Sequence, residues 1–150
     1  MGTHYEGTLE ETVALDGYIT LSRAHETVTS RINAHLHDYD LTISQFGVLE
    51  AIYHLGPLQP TQLAEKILKS GGNLTLVISN LVKRSLVTRQ RRVDDRRCID
   101  VHLTPTGEAL IEQILPDHVA GVVDTMTVLT AAEQAQLTQL CRKLGLANSS

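Results

Sequence analysis

Tryptophan is absent from this 150-residue chain, and its aromatic residues are one phenylalanine and four tyrosines. A core with so few rings must be aliphatic. Only two cysteines occur, Cys98 and Cys141, without C-x-x-C spacing, so neither a disulfide scaffold nor a cysteine zinc site is suggested and reduced thiols are expected. No apolar run reaches membrane-spanning length, and the acidic, polar start MGTHYEGTLEE is unlike a signal or transit peptide, so the expectation is a cytoplasmic protein without membrane association. Also missing are G-x-S-x-G, H-E-x-x-H, a phosphate-binding loop, a dinucleotide fingerprint and a close carboxylate pair, which argues against an enzyme and against a cofactor. Without internal repeats or a linker rich in proline or serine, residues 1–150 read as one compact domain.

What is present is helical periodicity. From Leu9 to about Tyr39, Val13, Leu21, Ala24, Val28, Ile32 and Leu36 fall near one stripe and predict a long first helix. Thr42-Ile43-Ser44-Gln45 has capping-box spacing and predicts a second helix to about Leu55, stopped by Gly56-Pro57. Pro60 suits the first turn of a third helix with Leu63, Ala64, Ile67 and Leu68 inward, and Lys69 to Gly72 is expected to turn. Later, Thr104-Pro105 reads as N-cap and first position of a helix in which Pro116 predicts a kink or short break at Leu115. A second capping box, Thr130 to Glu133, opens a last helix with Leu137, Leu140, Cys141 and Leu144 inward and Gly145 past its end.

The most informative stretch is Ser70 to Leu103. Leu74, Val77, Ile78, Leu81 and Val82 form an apolar stripe over a helix from Asn73 to Leu86, while Asn73, Thr75, Leu76, Ser79, Asn80 and Lys83 occupy the other faces. Small polar residues at its start, Ser70, Gly71, Gly72, Asn73 and Thr75, permit close approach to another surface, and their groups can bond base edges or phosphates. The period then changes to that of a hairpin: Val87 to Arg92 is β-prone, Val93 to Arg96 has turn character, and Ile99, Val101 and Leu103 alternate with Asp100 and His102. Between residues 66 and 97 nine cations face only Asp94 and Asp95, a local +7 in a chain of net charge −4, which leaves −11 elsewhere. Such asymmetry points to an anionic partner met by one lobe, with double-stranded DNA the leading candidate. The plain alternative is an amphipathic helix and a solvated charge run, but a hairpin gathers the cations at a tip.

A helix, a second helix with a polar start, a basic hairpin carrying Asp95-Arg96-Arg97, and then Leu103-Thr104-Pro105-Thr106-Gly107 together resemble the MarR-type (multiple antibiotic resistance regulator) bacterial transcription factors, over about Leu9 to Leu146. The resemblance implies a mainly α fold with a small β-hairpin wing: a winged helix-turn-helix lobe at residues 42–103 and dimerisation helices at 9–39 and 105–147. It implies a homodimer on DNA and Arg97 in the minor groove steadied by Asp95, with Arg96 beside it; Arg84, Arg89, Arg91 and Arg92 are read from their charge as meeting phosphates, with plain solubility the alternative. It further implies a regulator, of the repressor kind, relieved by a small aromatic or phenolic ligand in a cleft lined by Tyr18, His25, His35, Tyr39 and Phe46.

Some members of that family sense zinc, but His25, His35, His37, His54, His102 and His118 have no site-like spacing here, so no metal is expected. The peroxide-sensing branch carries a cysteine near the start of its first helix, and Leu9 to Arg23 has none. Cys98 beside Arg96 and Arg97 has neighbours that can lower a thiol pKa, which keeps a redox-sensing regulator as an alternative. Cys141 is expected in the core. A winged-helix module that meets an acidic protein is the other alternative.

Overall fold

A threonine hydroxyl opens each of three helices. Thr8, Thr42 and Thr130 accept from the amides of Glu11, Gln45 and Glu133, whose side chains accept in return from the threonine amides. Two of these boxes follow from the sequence reading; the one at Thr8 adds a third. The computed structural model describes residues 2–67 and 71–149. Its elements are α1 (Leu9–Asn33), a 3-10 helix (Ala34–Tyr39), α2 (Ile43–Leu55), α3 (Pro60–Ile67), α4 (Gly71–Lys83), β1 (Val87–Arg91), β2 (Ile99–Leu103), α5 (Pro105–Met126) and α6 (Ala131–Asn148). Leu68, Lys69 and Ser70, expected at the end of α3 and in the turn, lie outside the described residues.

Two compact units result: His35–Asp117 is one, and the residues up to Ala34 with those from His118 onward are the other. The first contains every buried hydrophobic among the described residues, including Leu36, Phe46, Leu49, Leu63, Leu74, Ile78, Leu81, Val101, Ile111 and Ile114. The core is aliphatic apart from Phe46, and each fully buried side chain of this size contributes about 1.5–3 kcal/mol before entropy is subtracted. β1 and β2 pair antiparallel from Val87 opposite Leu103 to Arg91 opposite Ile99. Leu58 bridges Val101 through both of its backbone groups, which pins the base of the hairpin to the loop between α2 and α3. This is a winged helix-turn-helix, mainly α with one small hairpin. In the other unit Arg31 pairs with Asp124 at 2.9 Å. Among the described residues no side chain of α1 or α6 is buried, and no helix is long and apolar enough to cross a membrane.

Several expectations need correction. The first helix tightens into 3-10 geometry after Asn33, which sets Leu36 and Tyr39 one above the other against the core. Gly71 and Gly72 belong to α4 rather than to the turn, and α4 stops at Lys83 instead of Leu86 because Ser85 takes a left-handed conformation, φ 59°. α5 runs through Pro116 without a break: Glu112 and Pro116 are both exposed, so water can serve the carbonyl that loses its bond, while buried Ile111 and Ile114 hold the turn before it. α6 continues past Gly145 to Asn148, and Cys141 is exposed because its helix buries nothing within the chain.

α5 starts in close contact with the end of α4. The Thr104 hydroxyl donates to the Ser85 carbonyl at 2.6 Å and accepts from the Gly107 amide, and the Thr104 amide donates to the Leu86 carbonyl. A Cβ on Gly107 would stand 2.1 Å from that Leu86 oxygen, a backbone atom that cannot swing aside. Gly107→Ala is therefore expected to cost about 1–3 kcal/mol through overpacking, while Gly17→Ala, in open space on α1, gains about 0.5–1 kcal/mol from helix propensity. Urea unfolding of the two variants checks the contrast.

Candidate nucleic-acid interface

The apolar stripe of α4 faces inward as its spacing requires. Leu74, Ile78 and Leu81 are buried and Val77 and Val82 half-buried, leaving Asn73, Thr75, Leu76 and Lys83 exposed and Ser79 and Asn80 at the margin. Leu76 is 63% exposed on this outer face. α4 begins at Gly71, and amides without helical partners at a helix start favour anions. Of the polar start read from the sequence, only Ser70 falls outside the described residues.

At the far end of the hairpin, Asp95 clasps Arg97. Its carboxylate accepts from the Arg97 amide at 3.1 Å, from Nε at 3.1 Å and from Nη2 at 3.3 Å. The arginine side chain is nonetheless 91% exposed, so it is oriented without being covered. The tip is closed by the Arg92 amide donating to the Cys98 carbonyl and the Cys98 amide donating to that of Asp95. Arg91 donates to the Arg96 carbonyl at 2.8 Å, Arg92 lies between Asp94 and Asp100 at 3.3 and 3.7 Å, and Arg89 donates to the Ser79 hydroxyl at 2.8 Å, tying β1 to α4. Arg96 is exposed at the tip.

Arg84, expected at a phosphate, is engaged within the lobe. Its guanidinium donates to the Asp40 carbonyl at 2.6 Å and the Tyr39 carbonyl at 3.1 Å. Cys98 also departs from its expected character. Burial, then the neighbouring Asp95 carboxylate, raise its thiol above the ordinary value of 9.0, and Sγ donates to Asp95 at 3.7 Å. The charge of Asp95, then its hydrogen bond with the thiol, outweigh the opposing charge of Arg92. Arg97 is thus held by a carboxylate that also receives a protonated thiol.

The residues expected to line an effector cleft fall in both units. Tyr18 and His25 are exposed on α1; His35 and Tyr39 are half-buried in the 3-10 helix. Phe46 is a correction: it is 4% exposed in the core and offers no free face to a ligand. A cavity of about 430 Å³ lies between α2 and the end of α3, with Gly47, Ala51 and Ile67 among its apolar walls and His54, Glu50 and Lys66 among its polar ones. Nothing in the periodicity of α2 signals it, since Gly47 and Ala51 look like ordinary small residues. Among the described residues no three His, Cys, Asp or Glu stand close enough to hold a metal ion.

Comparison with known proteins places this geometry. Residues 41–99, spanning α2 to the wing tip, match the sequence profile of the MarR family. The transcriptional regulator MhqR of Bacillus subtilis is 33% identical over 129 residues, 86% of this chain and 89% of the relative. The chain belongs to the MarR family. The B. subtilis transcriptional repressor MdtR is 25% identical across 88% of this chain and 85% of its own. A solved structure of BpsR from Bordetella bronchiseptica, whose DNA binding is regulated by 6-hydroxynicotinic acid, superposes over 100% of both chains with a TM-score of 0.78 at 25% identity. This MarR protein is accordingly a DNA-binding transcriptional regulator and not an enzyme.

The clasp has a definite pH dependence. Hydrogen bonds from the Arg97 side chain, then its amide, hold Asp95 below the ordinary 3.8. A lowered carboxylate pKa makes the ionised clasp fully present above the ordinary value and lost only as pH falls through the lowered one. The Arg97 Nε resonance in the free protein is expected to be constant from about pH 8 to 5 and to move only below about pH 4. In Asp95→Asn it loses its clasped position throughout.

Proposed function

We propose that this protein is a repressor that binds a pseudo-palindromic operator as a homodimer and is released by a small aromatic or phenolic ligand. The observation that carries the reading is the pairing of the exposed polar face of α4 with an exposed yet oriented Arg97 at the tip of the adjoining hairpin. In this assignment Gly72, Asn73, Thr75, Leu76, Ser79 and Lys83 meet the major groove or its phosphates. Arg97 enters the minor groove, where narrow A·T-rich stretches concentrate negative potential, and Arg96 and Arg91 meet the backbone. Arg89 serves both sides, since its bond to Ser79 fixes the angle between helix and wing.

Support for the homodimer comes from the terminal helices. Leu9 and Val13 on α1 and Leu140, Leu144 and Leu146 on α6 are all more than half exposed. A monomer does not keep two apolar faces in water without cause. Two-fold symmetry also sets two copies of α4 about one DNA turn apart, roughly 34 Å, which doubles a short read. Repression follows the example of MdtR, and a cytoplasmic location follows from DNA as the partner.

Selection of bound duplexes from a random pool tests the reading. The expected product is two half-sites about 10 base pairs apart. Affinity for it should fall steeply with salt, by about 0.9 log units per log unit of salt for each phosphate neutralised. A single unpaired half-site would sink the dimer, and a flat salt response would sink the assignment of the wing.

For the effector, BpsR supplies the chemistry and the cavity between α2 and α3 supplies a place. Its apolar walls suit a planar ring, and Lys66 and His54 suit a carboxylate or phenolate. A ligand there presses on Ile67 just ahead of α4, and about 1.4 kcal/mol of differential binding suffices for tenfold weaker operator affinity. We expect one or more of salicylate, 6-hydroxynicotinate and simple phenols to release the selected duplex. Ala51→Phe, which fills the cavity, should abolish release while operator affinity stays within about twofold, a change of roughly 0.4 kcal/mol.

A further inference from the structure

We propose that Arg84 is a positioning residue rather than a DNA contact: it joins the C-terminal end of α4, the recognition helix of the proposed function, to the end of the 3-10 helix, and thereby sets how well this regulator distinguishes its operator from other DNA.

The geometry is that of two helix ends facing one another. The 3-10 helix ends with Asp40 in the left-handed region at φ 53°, the Asp40 amide donating to the His37 carbonyl and the Leu41 amide to that of Leu36. α4 ends in the same way, with Ser85 at φ 59°, its amide donating to Val82 and the Leu86 amide donating to Leu81. Both are reversals that satisfy the last carbonyls of a helix, and in both the hydrophobic pair that accompanies the motif is buried: Leu36 with Leu41, Leu81 with Leu86. Neither has glycine at the left-handed position, so each reversal is held against an intrinsic backbone preference.

Arg84 precedes Ser85 and connects the two reversals. Its bonds of 2.6 and 3.1 Å go to consecutive carbonyls, Asp40 and Tyr39, a forked arrangement that a planar guanidinium makes and an ammonium does not. Those carbonyls lie at the negative end of the 3-10 helix, which favours a cation. One residue further on, the Ser85 and Leu86 carbonyls accept from Thr104 at the start of α5. The end of the recognition helix is therefore bonded both to the segment that arrives from α1 and to the helix that leaves the lobe. Small changes of angle at this end are carried along α4 to Asn73 and Thr75 at the other.

The test separates positioning from phosphate contact and from simple loss of fold. Wild type, Arg84→Lys and Arg84→Ala are titrated with the selected duplex and with a random-sequence duplex over a range of salt. A positioning role predicts that both variants lose about tenfold in the ratio of selected to random affinity, that lysine does not rescue, and that random-duplex affinity and salt slope stay near wild type. A phosphate contact predicts instead a slope lower by about 0.9 per site in Arg84→Ala, equal losses on both duplexes, and rescue by lysine; that result overturns the proposal. Partial unfolding lowers the active fraction equally for both duplexes and leaves the ratio unmoved. An unmoved ratio, with or without lost binding, therefore also overturns it.

Discussion

The passage from α4 into β1 is the constraint on which the DNA-binding lobe depends. A helix that buries one face must stop, reverse and deliver a strand to the core within three residues, and the left-handed Ser85 accomplishes this. Once the reversal is made, Leu86 and Val87 are buried, the Leu86 carbonyl faces Thr104, and the hairpin register follows from Val87 opposite Leu103. Only a residue without a side chain fits at Gly107 beneath that carbonyl. Helix, wing and α5 are thus fixed relative to one another by backbone groups, with few side chains needed to hold them.

Charge in this lobe is more structured than a count of cations implies. Of the arginines clustered between residues 84 and 97, Arg84, Arg89, Arg91 and Arg97 donate to acceptors in the protein and Arg92 is ion-paired with Asp94 and Asp100. Such bonds remove rotamer freedom before any partner arrives, and ordering a long cationic side chain at the moment of binding costs about 0.5–1.5 kcal/mol each. An arginine held by Asp95 and still solvated is better prepared than a free one, because its remaining donors already point outward. The wing sacrifices some nominal charge to Asp94, Asp95 and Asp100 in exchange for orientation.

Much of this was legible in the sequence, for identifiable reasons. Capping boxes at Thr42 and Thr130 are local and depend on four residues each, so the helix starts could be read directly. The stripe from Leu74 to Val82 and the alternation from Ile99 to Leu103 fix which faces are buried, and Asp95 and Arg97 are two residues apart in one turn. Helix ends were less legible. Asp40 and Ser85 reverse the chain without glycine, and their conformation is imposed by leucine pairs that become neighbours only in the fold. The role of Arg84 depends on carbonyls 44 and 45 residues away, which no spacing rule relates to it. The character of Cys98 is not legible either, because its sequence neighbours are basic while its bonded group is acidic.

The unit formed by α1, α6 and the end of α5 has, among its described residues, no buried side chain at all. A helical assembly without an interior has little free energy of its own to oppose chain entropy. Where a second copy covers it, folding of these helices becomes a function of concentration, whereas the lobe with its own aliphatic core does not. Dilution then frays the terminal helices first and offers them to proteases while the winged lobe stays intact. Under the proposed homodimer, the lifetime of the regulator rises and falls with its own abundance, a feedback written into the distribution of leucine between the two units rather than into any binding site.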